Sequence, residues 1–205
     1  MNSFCLFVSI TLLSILFNCC KNDNAQPQAP ANVLTNGDFE ANPFTQIPLW
    51  HSAILKDSKT NPTSYTVDYS TEAATSPVHS IKVSCDAIKS DSAYQVLERV
   101  VYTRDVPIPE GAKLTLKVKI KTASIQGNGI SFVFGGVDYI NGVVVTNFKS
   151  STEGKVSITG TKEFTEYTLT CDSAPKDLYA VYADLIYLPK TTGTAYYDDL
   201  SLTVN

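Results

Sequence analysis

Four acidic residues near the two ends of the chain are candidates for binding a metal ion. Asp38 and Glu40 are two residues apart, so on an extended strand their side chains would share one face. Asp198 and Asp199 are adjacent in an otherwise apolar stretch, and Asp198 has the same parity as Leu200. A buried carboxylate needs a cation or hydrogen-bond donors. Ca²⁺ accepts carboxylate and carbonyl oxygens, so the sequence predicts a structural calcium ion at these four residues. The alternative is that backbone N–H donors satisfy Asp198 while Asp38 and Glu40 are solvated.

Tyrosines that lie beside polar side chains are candidates for binding sugars. Flat aromatic side chains stack on the apolar faces of pyranose rings, while neighbouring amides and carboxylates bind hydroxyl groups. The sequence offers three such groups, Tyr94 with Gln95, Tyr139 with Asn141, and Tyr182 with Asp184. Tyr65, Tyr69 and the single tryptophan, Trp50, are further candidates. For each of them, core packing or a cross-strand contact is the alternative.

The composition and the motifs argue against several other functions. The net charge is −4 and only two residues are arginine, which disfavours a nucleic-acid partner. With two histidines, His51 and His79, the chain cannot form a histidine-rich catalytic zinc site. Glycoside hydrolases need two carboxylates in one cleft, and the sequence contains no E-x-D-x-x-E run. We therefore predict no catalytic residues and no enzyme activity.

The N-terminal segment predicts export and a lipid anchor. Residues 1–19 carry no charge, and residues 4–17 (FCLFVSITLLSILF) are almost entirely apolar. As a helix this apolar stretch spans about 21 Å, too short to cross a bilayer but suited to a signal peptide. The following Asn18-Cys19-Cys20 resembles a bacterial lipoprotein signal, with Cys20 as the predicted lipidated residue and Cys19 as the runner-up. An ordinary secretory signal is the alternative. Residues 20–31 are then a polar tether, and the outer membrane or cell surface is the expected location.

Residues 32–205 read as a single all-β domain. Residues 113–122 (KLTLKVKIKT) alternate between apolar and polar side chains, which is typical of a half-buried antiparallel strand. Further strands are predicted at 65–69, 81–85, 94–103, 129–137, 143–148, 164–171, 178–188 and 200–204, with turns at 107–111, 141–142, 153–154, 172–175 and 192–193. This pattern predicts a two-sheet antiparallel β-sandwich, a jelly roll. The lysines on the polar face of the first strand, Lys113, Lys117, Lys119 and Lys121, either meet an acidic polysaccharide or form a solvated face.

Two cysteines lie within the predicted domain. Cys85 and Cys171 share strand parity with apolar neighbours, so both are expected to point inward. An exported protein permits a disulfide, but two buried free thiols are equally compatible with the sequence.

Landmarks at both ends and in the middle of the domain resemble a known family. The opening NVLTNGDFE (32–40) with Pro48-Leu49-Trp50, the central VPIPEG (106–111), and the closing GTAYYDDLSL (193–202) are similar to jelly-roll carbohydrate-binding modules of families 4, 9 and 22. The resemblance implies non-catalytic binding of a polysaccharide or glycan, and a structural calcium ion joining the first and last strands. It also implies a role in holding polysaccharide for partner proteins of a polysaccharide-utilisation system. A surface adhesion or structural lipoprotein that binds a protein partner is the alternative function, and a glycoside hydrolase or polysaccharide lyase is a less favoured one.

Overall fold

The structure is a computed structural model that describes residues 32–41 and 49–205. It contains nine strands: β1 (His51–Leu55), β2 (Thr66–Ser70), β3 (Ser80–Cys85), β4 (Tyr94–Tyr102), β5 (Leu114–Ile140), β6 (Val143–Ser151), β7 (Ile158–Cys171), β8 (Ala180–Tyr187) and β9 (Thr192–Val204). Among these residues, no helix is long and apolar enough to cross a membrane. The predicted signal peptide, the tether and the lipidation site Cys20 lie outside the described residues.

The long strand β5 connects two antiparallel sheets. Its first part pairs with β7 on one side and β9 on the other, which gives a first sheet in the order β2-β3-β9-β5-β7. Its second part pairs with β8 and β6, which gives a second sheet in the order β1-β4-β8-β5-β6. Side chains from both sheets form one buried core. The prediction of an all-β sandwich is confirmed.

Alternating apolar residues account for the core. In the first sheet Leu114, Leu116, Val118 and Ile120 of β5 are buried, while the residues between them are partly exposed. In the second sheet Leu97, Phe132 and Leu185 lie opposite one another and are also buried. Burying a side chain of this size contributes about 1.5–3 kcal/mol. One face of each sheet therefore lies against the other sheet, and the residues of opposite parity lie on its outer face.

Two local predictions were wrong, and one strand was missed. The strands predicted at 113–122 and 129–137 form one strand, because β5 changes register with β7 three times and passes into the second sheet without a turn. The turn predicted at 192–193 lies inside β9. The chain reverses before it, where Lys190 has a φ of 60°. Strand β1 was not predicted, because its side chains are mostly exposed and do not alternate.

The two cysteines of the domain are free thiols in the described part of the chain. Cys85 is buried in the core, and Cys171 packs against the core from the end of β7. Both therefore point inward as predicted, and the choice that the sequence left open resolves to unpaired thiols.

Candidate functional site

The outer face of the second sheet, here called the Tyr182 face, collects polar and aromatic side chains. It consists of the residues whose parity is opposite to that of the core: Tyr94, Val96, Glu98, Val100 and Tyr102 on β4, Tyr182, Asp184 and Ile186 on β8, Ser131, Val133 and Gly135 on β5, and Lys149 and Ser151 on β6. Val133 and Ser131 are buried but do not belong to the core cluster. The centre of the face is therefore recessed beneath its neighbours.

Tyr182 lies across the sheet on top of a glycine. Gly135 is directly opposite Tyr182 in the β5–β8 pairing. A Cβ atom at position 135 would lie 2.2 Å from Cζ of the Tyr182 ring, far inside van der Waals contact. The missing side chain of Gly135 thus lets the tyrosine ring rest on the backbone of β5. Because the ring is only half-buried, it presents an aromatic platform on this face.

Two carboxyl groups, those of Glu98 and Asp184, lie beside this platform. Glu98 and Asp184 are directly opposite each other on β4 and β8, so their Cβ atoms are about 5 Å apart. Oδ1 of Asp184 is buried and has no hydrogen-bond partner among the described residues. Burial and the Glu98 charge raise the pKa of Asp184 from 3.8 to about 7, while Lys149 acts in the opposite direction. The face therefore offers hydrogen-bonding oxygens that the described part of the chain leaves unsatisfied.

Three tyrosines form an aromatic cluster at one end of the Tyr182 face. The Tyr179 ring lies 5.4 Å from Tyr139 and 5.5 Å from Tyr102, measured between ring centroids. The guanidinium carbon of Arg104 lies 4.9 Å from the centre of the Tyr102 ring. The aromatic surface of the face thus continues to the hairpin between β5 and β6.

The structure brings four of the predicted sugar-binding residues onto this face. Tyr94, Tyr182, Asp184 and Tyr139 all have outward parity in the second sheet. Tyr94 lies at the opposite end of β4 from Tyr102, and the Lys56 ammonium lies 5.9 Å from its ring centre.

The other predicted sugar-binding residues lie elsewhere. Gln95 is buried on the opposite side of β4, where it donates hydrogen bonds to Ser52 Oγ and to the Val96 carbonyl. Asn141 forms the turn of the β5–β6 hairpin. Trp50 packs on Phe39 at 5.3 Å. Tyr65 and Tyr69 donate to the carbonyls of Ala93 and Ala41.

Three residues of the Tyr182 face were not predicted from the sequence as part of a sugar-binding site: Glu98, Tyr102 and Gly135. Glu98 and Tyr102 are four and eight residues after Tyr94, so strand parity alone would have placed them on the same face. Gly135 carries no such signal, because its role depends on the pairing of β5 with β8.

The lysine face of the first sheet is neutralised by carboxylates of neighbouring strands. Lys117 pairs with Glu166, Lys119 with Asp199, and Lys121 with Glu163, each at 2.8–2.9 Å, and Lys113 lies 3.6 Å from Asp172. Pairs of this kind are typical of a solvated face. The structure gives no excess of positive charge here for an acidic polysaccharide.

The Asp198 side chain is buried, but on the outer face of the first sheet. Strand parity predicted the face toward the core. The partner of Asp198 on β5 is Lys119, whose side chain faces outward, whereas Leu202 pairs with Leu116 in the core. The register shifts between these pairs, at Asp199, whose φ is 48°. This β-bulge reverses the alternation of β9.

Hydrogen-bond donors surround the Asp198 carboxylate. Oδ2 accepts the backbone N–H groups of Thr75 at 2.6 Å and Ser76 at 2.9 Å, and Oδ1 accepts the Ser76 hydroxyl and the Asp199 N–H. The loop that contains Thr75 and Ser76 thereby covers the carboxylate and excludes water from it. This arrangement is the hydrogen-bonded alternative that the sequence left open.

Glu40 is held in the same way. Its Oε1 accepts the N–H groups of Val78 and His79, and its Oε2 lies 2.8 Å from His79 Nδ1. Burial alone would raise the pKa of Glu40, but the hydrogen bonds from His79 and Val78 lower it to about 2. The carbonyl oxygen of Asp38 lies 2.9 Å from the Ser76 hydroxyl oxygen. Residues 33–41 are turns and bends rather than a strand, so Asp38 and Glu40 do not share a strand face as predicted.

Backbone N–H groups of the protein bind the carboxylates of Asp198 and Glu40. N–H and O–H groups already point at Asp198 and Glu40, and within the two described ranges no group of three His, Cys, Asp or Glu side chains is arranged to hold a metal. Calcium binding therefore stays a prediction from the sequence. Melting the full chain with chelator and with Ca²⁺ tests it: the hydrogen-bonded arrangement predicts an unchanged Tm, whereas a bound ion would make Tm fall on chelation and recover with Ca²⁺.

The low pKa of Glu40 predicts a specific loss of stability in acid. The pKa falls from 4.5 to about 2 on folding, so the ionised group stabilises the fold above pH 4.5 and this contribution is lost between pH 4.5 and 2. We expect Glu40→Gln to be less stable than wild type at pH 7 and to lose less stability across that acid range. Urea unfolding at several pH values measures both effects. Parallel pH curves for the two proteins would contradict this assignment.

Comparison with known proteins identifies the fold but no sequence family. No protein-family model matches the chain, and no curated protein matches it. The enzymatically active domain of tailspike protein 4 of bacteriophage CBA120 superposes with a TM-score of 0.61 and 15% identity, over 85% of this chain and 21% of that one. This chain thus spans about a fifth of the tailspike.

Two carbohydrate-binding modules match over nearly their whole length. TmCBM61, solved in complex with β-1,4-galactotriose, superposes with a TM-score of 0.52 and 15% identity, over 85% of this chain and 99% of the module. A CBM4 module gives a TM-score of 0.52 and 15% identity, over 83% of this chain and 99% of the module. Because all these identities are low, the similarity establishes architecture. The chain has the jelly-roll β-sandwich fold of carbohydrate-binding modules.

Proposed function

We propose that this protein binds a glycan, without catalysis, on the Tyr182 face. The observation that carries the proposal is the aromatic platform made by Tyr182 on Gly135, beside the opposed carboxyl groups of Glu98 and Asp184. A pyranose ring stacks its apolar face on such a ring, and carboxyl oxygens accept hydrogen bonds from its hydroxyls. The fold shared with carbohydrate-binding modules supports the proposal.

The dimensions of the face favour a chain of sugars over a single sugar. Tyr94 and Tyr102 are eight residues apart on β4, which is about 26 Å along the strand. Tyr182 and the carboxyl pair lie between these two tyrosines. Aromatic groups at both ends and polar groups in the middle suit an extended oligosaccharide or polysaccharide.

We further propose that the protein is exported and anchored to the outer membrane by a lipid on Cys20. The sequence of residues 1–20 supports this location. There the domain would hold polysaccharide close to partner proteins that degrade or transport it. Calcium binding by Asp38, Glu40, Asp198 and Asp199 is a separate proposal, tested by the melting experiment above.

A glycan array with the full chain tests the proposed function. Binding to one consistent class of glycans supports it. A blank array from a folded protein would contradict it and would favour the alternative of a surface lipoprotein that binds another protein, to be sought by pull-down.

Glycoside hydrolysis is a second candidate, favoured by the opposed pair Glu98 and Asp184. Retaining glycosidases use two carboxyl groups about 5 Å apart, one of them with a raised pKa. Against this candidate, the sequence contains no E-x-D-x-x-E run, and two carbohydrate-binding modules share the fold over nearly their whole length. Release of reducing ends from a bound glycan, lost in Asp184→Asn, would identify an enzyme. We expect no release.

A further inference from the structure

The hairpin between β5 and β6 exposes a group of large apolar side chains. Val143 and Val144 are 61% and 59% exposed, Tyr139 and Ile140 are 54% and 48% exposed, and Val145 is 40% exposed. Asn141 and Gly142 form the two-residue turn between them, both with positive φ, as expected for a tight type I′ hairpin. Contiguous apolar exposure of this kind marks an interaction site.

Both faces of the hairpin are apolar at its tip. Ile140 pairs with Val143 on one face, and Tyr139 pairs with Val144 on the other. The next pair contains Asp138, so the apolar part ends there. Two residue pairs extend about 7 Å along the strands. An apolar phase that surrounds the tip would cover both faces of the hairpin. A partner with a flat binding surface would cover only one of them.

The hairpin lies at the same end of the sandwich as the N-terminal entry to the domain. Val33 and Tyr102 line one cavity of about 370 Å³. The Tyr102 ring contacts Tyr179, which in turn contacts Tyr139 of the hairpin. The Tyr179 backbone also accepts a hydrogen bond from Thr103 and donates one to Val137. A continuous set of contacts thus connects the start of the domain with the hairpin.

The sequence before the domain brings this end close to a membrane. Eleven residues, 21–31, separate the proposed lipidated Cys20 from the domain. A flexible tether of this length has an end-to-end distance of about 20 Å. The anchored domain therefore stays near the bilayer, with the hairpin end on the side of the tether.

We propose that the tip of the β5–β6 hairpin inserts into the interface of the membrane that carries the anchor. This inference rests on the proposed anchor at Cys20. An apolar depth of about 7 Å matches the 5–10 Å to which interfacial apolar groups are buried. Asp138 limits the insertion, and Tyr139 and Tyr179 occupy the interface, where tyrosine is favoured. The insertion fixes the orientation of the domain on the membrane.

A second copy of the chain is the competing occupant. β6 is an edge strand of the second sheet, and an edge strand can pair with another copy. Such pairing would use the backbone of the whole strand, including the polar residues that follow Val145, and would leave the turn residues and Ile140 exposed. Apolar exposure concentrated at the tip on both faces favours the membrane.

Tryptophan quenching in vesicles tests the proposal. The full chain, purified from membranes, is reconstituted in phosphatidylethanolamine–phosphatidylglycerol vesicles that contain brominated phosphatidylcholine. The test variant is Val144→Trp. The matched control is Val156→Trp, at a residue 46% exposed in the loop before β7, beside Leu188 at the other end of the sandwich. The wild-type protein gives the fluorescence emission of Trp50 alone, which is subtracted from the emission of each variant.

The proposal predicts that bromolipid quenches the emission added by Val144→Trp and leaves that of Val156→Trp unchanged. Equal quenching of the two variants would overturn it, as would a doubled mass by sedimentation together with an unquenched Val144→Trp. Flotation of wild type and Cys20→Ala with the vesicles tests the anchor separately. If wild type does not float, both the anchor and the hairpin contact are wrong.

Discussion

Replacing Tyr182 by alanine is expected to reduce glycan affinity by about 30-fold. A central aromatic residue of a binding face contributes about 2 kcal/mol or more, and 1.4 kcal/mol corresponds to a factor of ten in Kd. Tyr182 is in this position because its ring lies on Gly135 and beside the two carboxyl groups. Calorimetric titration with the glycan class that the array identifies measures the effect. Unchanged affinity would show that the glycan does not stack on the Tyr182 ring.

Two further variants separate stacking from folding. Tyr182→Phe keeps the ring and is expected to bind within a few-fold of wild type. Gly135→Ala keeps the tyrosine at position 182 but puts a methyl group 2.2 Å from the present position of its Cζ. The ring must therefore move, and binding should fall as in Tyr182→Ala. The Tm of each variant shows whether the fold is retained. Loss of binding in Tyr182→Phe would assign the effect to the hydroxyl group instead.

Replacing Asp198 by alanine is expected to destabilise the fold by about 4 kcal/mol, because buried donors would lose their acceptor. The N–H groups of Thr75, Ser76 and Asp199 all point at this carboxylate, which is fully buried. For a domain of this size the loss corresponds to a fall in Tm of about 8–16 °C. Thermal unfolding of the full chain followed by circular dichroism measures it.

Asp199→Asn is the matched control for Asp198. The Asp199 side chain is 32% exposed and pairs with Lys119 at 2.8 Å. Asparagine tolerates the positive φ of this position, and exposed ion pairs contribute about 1 kcal/mol or less. We expect Asp198→Asn to lie between the two, since it keeps one acceptor oxygen. Equal losses for Asp198→Ala and Asp199→Asn would contradict the role given to the buried carboxylate.

The fold was predictable because most strands have one face in the core. The alternation of Leu114 to Ile120 appears directly in the sequence, and Asn141-Gly142 marks the hairpin. Parity failed at Asp198, because a bulge at Asp199 inserts one residue into the alternation. A bulge depends on the partner strand, so the sequence of β9 alone does not reveal it.

The candidate site was predictable in part. Tyr94, Tyr139, Tyr182 and Asp184 were selected because each lies near a polar or aromatic group, and they share one face because their strands pair in the second sheet. Gln95 was selected on the same ground but points the other way, since neighbouring residues of a strand face opposite sides. The contact of Tyr182 with Gly135 joins residues 47 positions apart and depends on strand pairing.

The most direct test of glycan binding on the Tyr182 face is to observe which tyrosines respond when glycan binds. Ring-labelled tyrosine NMR of the full chain, titrated with the glycan from the array, resolves the 11 tyrosines. Glycan binding on the Tyr182 face predicts that the signals of Tyr182, Tyr94 and Tyr102 shift. The signals of Tyr197 in the core and of Tyr65, which packs against the core, should not shift. Shifts confined to tyrosines outside the Tyr182 face, or no glycan bound by the folded protein, would contradict it.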